Sequence, residues 1–80
     1  MNDAEKQLRK MPGRDRSRVM AAMEQIIHRD FSLLKRVKLT GYDHIYRVRI
    51  GSYRIIYFDN GKEIEFESVK RRNESTYNGF

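Results

Sequence analysis

Three arginines, Arg47, Arg49 and Arg54, fall on the two arms of one predicted β-hairpin, Tyr46-Arg47-Val48-Arg49-Ile50-Gly51-Ser52-Tyr53-Arg54-Ile55-Ile56-Tyr57. Gly51-Ser52 joins two strand-like runs, and a glycine at the first turn position suits a type II′ hairpin. That turn sets Ile50 opposite Tyr53, Arg49 opposite Arg54, Val48 opposite Ile55 and Arg47 opposite Ile56. Like charges facing each other across a ladder are destabilising, so Arg49 against Arg54 serves no structural purpose. Guanidinium groups gathered on one sheet face suit phosphate, which they bind as planar forks.

The elements that must hold these side chains can be read along the chain. Ala4, Leu8 and Met11 share one stripe and predict a helix over residues 1–11, ended by Pro12-Gly13. Val19, Ala22, Met23, Ile26 and Ile27 form a second stripe and predict a helix over 15–28, with Arg14, Arg16 and Arg18 opposite. The two helices should make an antiparallel hairpin. Residues 29–43 carry no firm period and read as an irregular connection. Strands are expected over 45–50, 53–59 and 63–69, the last two joined at Asn60-Gly61, which would set Asp59 against Lys62 and Arg54 against Glu67. The expected architecture is therefore α+β: a helical hairpin on one face of a small antiparallel sheet, in one domain over 1–80. Alternation sends Tyr46, Val48, Ile50, Tyr53, Ile55, Tyr57, Ile64 and Phe66 toward the helices. Arg47, Arg49, Arg54, Glu63, Glu65 and Glu67 go to the open face, and Arg71 follows if the alternation continues.

Composition narrows the partners. Eighty residues with a formal charge of +6 and a pI near 9.9 are drawn to polyanions. There is no cysteine, hence neither a disulfide nor a thiolate metal site, which fits a reducing cytoplasm. No run reaches membrane-spanning length, and the first residues lack the apolar core of a signal peptide. Glu63, Glu65 and Glu67 on one strand lack the further ligand that a metal site would need. His28 and His44 share no ligand spacing. Neither a cofactor nor a metal is expected.

Arg47, Arg49, Arg54 and Arg71, with Lys70 and Arg72 beside them and Tyr77 after a turn, suit RNA, because an aromatic ring can stack on an unpaired base. They also suit RNA cleavage, in which a 2′-hydroxyl attacks its own phosphate and arginines stabilise the growing charge. Blander readings stand beside this one. The arginines could be a solvated face balanced by the glutamates, Lys70-Arg71-Arg72 an ordinary basic tail, and Tyr77 a residue packed on the sheet.

The run Tyr46-Arg47-Val48-Arg49-Ile50, then Ser52-Tyr53-Arg54-Ile55-Ile56-Tyr57, Val69-Lys70-Arg71-Arg72 and Tyr77 resembles the RelE/ParE superfamily of bacterial toxins. The Arg-rich second helix and Leu39-Thr40-Gly41 extend the resemblance over nearly the whole chain. It implies the toxin of a type II toxin–antitoxin pair: a metal-independent, ribosome-dependent mRNA endonuclease of the cytoplasm, held inactive by a cognate antitoxin. By motif position it implies catalytic roles for Arg54, Arg71 and Tyr77, and RNA contacts for Arg47, Arg49, Lys70 and Arg72. Arginine stands at 47 and 49 where the family has lysine. Arginine keeps its proton and cannot act as a base, which leaves phosphate and RNA contact to Arg47 and Arg49, and Tyr77 either to stack on a base or to help remove the 2′-hydroxyl proton, the latter needing a pKa lowered by the surrounding arginines. The family's short strand before the first helix is missing, so an exposed sheet edge is expected, open to pairing with another chain as in a dimer. Two alternatives stay open: a ParE-like gyrase inhibitor, and a non-catalytic scaffold binding RNA or an acidic protein.

Overall fold

The computed structural model describes residues 3–71. Two helices, α1 (Asp3–Lys10) and α2 (Gly13–Ile27), precede four strands, β1 (Arg36–Lys38), β2 (Ile45–Ile50), β3 (Tyr53–Asp59) and β4 (Ile64–Arg71). The strands pair antiparallel in the order β1-β2-β3-β4. The α+β reading holds, with one strand more than expected. β1 lies in the segment read as irregular, and three residues are too few to show a period.

The break between the helices follows from Pro12, whose backbone is extended (φ −55°, ψ 149°). Arg16 then reaches back from the first turns of α2. Its Nε donates to the Leu8 carbonyl (2.9 Å) and a terminal nitrogen to that of Met11 (3.1 Å), satisfying carbonyls that the end of α1 leaves open. At the other end of α2, Arg29 N–H donates to Ile26 O and Asp30 N–H to Gln25 O, both at 2.9 Å. This is the Schellman arrangement, which needs a left-handed residue at Arg29 (φ 56°).

Ala4 and Met11 of α1, Val19, Ala22 and Ile26 of α2, and Val48, Tyr53, Ile55, Tyr57 and Val69 of the sheet form one buried core. The apolar face expected from alternation is the face that packs.

The first hairpin has the expected register, with Arg49 opposite Arg54. The second does not. Asp59 pairs with Ile64 rather than Lys62, because the Asn60 carboxamide accepts the N–H groups of Lys62 (3.0 Å) and Glu63 (2.8 Å) and props open a longer loop. A register shift follows at Ile56/Tyr57. Glu67 is the extra residue of a β-bulge, and every later side chain of β4 changes face. Arg54 therefore stands opposite Lys70, not Glu67, and Arg71 stands opposite Tyr53.

Candidate nucleic-acid interface

Arg49, Arg54 and Lys70 occupy facing positions on β2, β3 and β4. With neighbouring strands about 4.8 Å apart, the three cations form a row roughly 10 Å long across the sheet face turned away from the main core, a face on which Ile56 and Ser68 are fully buried. Arg47, two residues before Arg49, shares that face opposite Val37 and Ile56. Arg49 is exposed, while Arg47, Arg54 and Lys70 are half-buried. The Lys70 ammonium also lies 3.8 Å from Asp3 at the start of α1.

The acids of β4 are set apart from this row. Glu65 faces Phe58 near the opposite end of β3, and Glu67 occupies the bulge. Burial, and then the nearby Glu65 charge, raise the Glu67 carboxyl above its ordinary value. The expected cross-strand balance of arginine by glutamate is replaced by segregation, with cations toward the Gly51 turn and acids toward the Gly61 turn.

Arg71 departs from the sequence reading. Beyond the bulge it lies on the helix side, with its guanidinium carbon 5.9 Å from the Tyr53 ring centroid. There it lines a hollow of about 280 Å³ with Lys10, Met11 and Pro12. Val69 carried the signal for this change. Phe66 and Val69 are three apart, and both can reach the core only if an extra residue intervenes. Arg72 and Tyr77 lie outside the described residues.

A second hollow, about 340 Å³, opens beside Arg47 and is lined by Val37, Lys38, Leu39, Thr40, Tyr42 and Arg47. Sequence reasoning treated residues 40–43 as a plain turn and missed it. An exposed tyrosine next to a glycine turn was the available signal.

A third cluster is structural. Asp59, 4% exposed, accepts from one Arg29 nitrogen at 2.6 Å to each oxygen, from Arg36 at 3.1 Å and from Gly61 N–H at 2.8 Å. Arg36 also lies over the Tyr46 ring (3.7 Å) and the Phe31 ring (4.7 Å). Burial pushes the Asp59 carboxyl up, but the hydrogen bonds from Arg29, Gly61 and Arg36 outweigh it and hold it at about 2.

No helix among the described residues is long and apolar enough to cross a membrane. No protein-family model matches the chain, and no curated protein does. Among solved structures, it is similar to a chain of the RelB–RelE antitoxin–toxin complex from Methanococcus jannaschii, at 32% identity and a TM-score of 0.74, over 86% of this chain and 84% of that one. Fold and comparison together define a toxin–antitoxin protein. The chain belongs to the RelB–RelE family.

Proposed function

We propose that the chain is the toxin of its pair, an endoribonuclease that cuts mRNA on the ribosome and is silenced by a cognate antitoxin in the cytoplasm. The cation row Arg49–Arg54–Lys70 carries this reading. Cations spaced along one line suit the repeating negative charge of a phosphate backbone.

In the proposed reaction the 2′-hydroxyl oxygen loses its proton and bonds to the adjacent phosphorus. The bond to the 5′-oxygen of the next nucleotide breaks, and that oxygen takes up a proton. The products are a 2′,3′-cyclic phosphate and a free 5′-hydroxyl. Arg54, central in the row, neutralises charge on the phosphoryl oxygens. Arg49, Lys70 and Arg47 hold flanking phosphates. The family resemblance gives Tyr77 either base stacking or a share in removing the 2′-hydroxyl proton, and gives Arg72 a further RNA contact.

The test adds the purified full chain to a reconstituted translation reaction and maps new mRNA 5′ ends by primer extension. Codon-phased cuts that require ribosomes are expected. Arg54→Ala should lower the cleavage rate on the order of 100-fold with an unchanged circular dichroism spectrum. Intact message would overturn the reading. Inhibition of gyrase supercoiling by the same preparation would then identify a ParE-like poison.

A further inference from the structure

We propose that Arg18, on α2, is a further phosphate-binding residue, which carries the cation row of the sheet around the Gly51-Ser52 turn onto the helical layer. The proposal deepens the RNA-cleavage reading and rests on it for the identity of the polymer.

Arg18 is exposed and directly precedes the fully buried Val19. Its guanidinium reaches the first hairpin. A Cβ at position 51 would lie 3.2 Å and 3.3 Å from its two terminal nitrogens, so a side chain there would displace it. Gly51 is also left-handed (φ 56°), a second reason for glycine at this position. Asp15, three positions earlier on the same helix, is the acid best placed to neutralise Arg18. It does not. Among the described residues, ion pairs join His28, Arg29, Arg36 and Lys70 to acids, and Arg18 to none. Asp15 is half-buried, and one of its carboxylate oxygens accepts from the Tyr53 hydroxyl at 3.0 Å. Tyr53 is itself only 8% exposed. The core thus holds the acid back and leaves the cation at the tip of the hairpin.

Arg49 stands two residues before Gly51 on β2, about 7 Å along the strand. It is exposed and takes part in none of those ion pairs. Arg49 leaves the sheet on the face turned away from the main core, whereas Arg18 arrives from the helix side, so the turn carries a cation on each flank. That arrangement suits a charged backbone that bends over the hairpin end. The hollow between Arg18, Asp15 and the turn is only about 80 Å³, well under the roughly 300 Å³ of the smallest ligand sites. It has no room for a base, which leaves a surface contact with phosphate. A protein partner would look for an apolar anchor at the centre of its contact, and Gly51 and Ser52 offer none.

The test follows binding of the full chain to a fluorescein-labelled oligoribonucleotide by anisotropy across a salt series, without ribosomes. Arg18→Gln should flatten the salt slope by about 0.7, the value of one phosphate contact on a single strand. Arg18→Lys keeps the charge and should keep the parental slope, with an unchanged circular dichroism spectrum in both variants. Tyr53→Phe releases Asp15 to pair with Arg18 and should weaken RNA binding about twofold, the scale of a helical ion pair. Adding Asp15→Asn to Tyr53→Phe should restore it. An Arg18→Gln variant with the parental slope would overturn the contact. So would a parent chain that binds a polyglutamate peptide but not the oligoribonucleotide, which would point to an acidic protein instead. The cleavage assay separates the two readings. If the parent cuts mRNA while Arg18→Gln keeps the parental slope, the contact fails and the nuclease stands. If the parent leaves mRNA intact while Arg18→Gln flattens the slope, the contact stands and the nuclease fails.

Discussion

Arg29 is a left-handed residue without being glycine (φ 56°), a conformation that costs about 1 kcal/mol or more for a side chain with a Cβ. The compensation is its contact with Asp59 at 2.6 Å to each carboxylate oxygen. Arg29→Gly relieves the backbone while losing that contact, so its stability should change by about 1 kcal/mol or less. Arg29→Ala keeps the strain and loses the contact, and should cost about 2 kcal/mol in urea melts. Asp59 answers to pH. Its folded value of about 2 lies below the ordinary carboxylate value, so the folded state binds the proton less readily than the unfolded chain. Its stabilisation is complete above about pH 4 and is lost as pH falls toward 2. That window contributes about 2 kcal/mol, and Asp59→Asn should remove the corresponding step from an acid-unfolding curve. The sequence read Asp59 as a hairpin partner of Lys62. Its role was illegible because Arg29, Arg36 and Gly61 converge on it from three separate elements.

The bulge at Glu67 decides which cation faces the ligand. Because Glu67 is the extra residue, Ser68 and Lys70 share one face beyond it while Val69 and Arg71 share the other. Val69 is fully buried on the core side, so Val69→Ala should cost about 2 kcal/mol by loss of that burial, read as a lower urea midpoint. Among the strands, β2 and β3 were legible because Gly51-Ser52 fixes one register and the apolar alternation agrees with it. The loop at Asn60-Gly61 misled because a side-chain amide took over hydrogen bonds that a two-residue turn would have left to the backbone.

Across the whole molecule, the charge of +6 is not evenly spread, and binding to RNA should report its placement. For single strands the salt slope is about −0.7 per phosphate contact. Arg47→Gln, Arg49→Gln and Arg54→Gln should each flatten the slope by about 0.7, measured by fluorescence anisotropy of a short oligoribonucleotide. Lys62→Gln, at the opposite turn, should leave it unchanged. The helices on one face and the arginines on the other were legible from periodicity alone. The short β1 and the hollow beside it were not, since they arise where distant segments meet. One consequence concerns the order of assembly. Strands adjacent in sequence are adjacent in the sheet, so β2 to β4 can zip together quickly from local contacts. The helix α1, at the other end of the described chain, packs on the last strand, β4, and can dock only after it. A chain still being synthesised therefore carries an incomplete row: Lys70 joins Arg49 and Arg54 last of all, and the protein acquires its full grip on a polyanion only after its fold has closed.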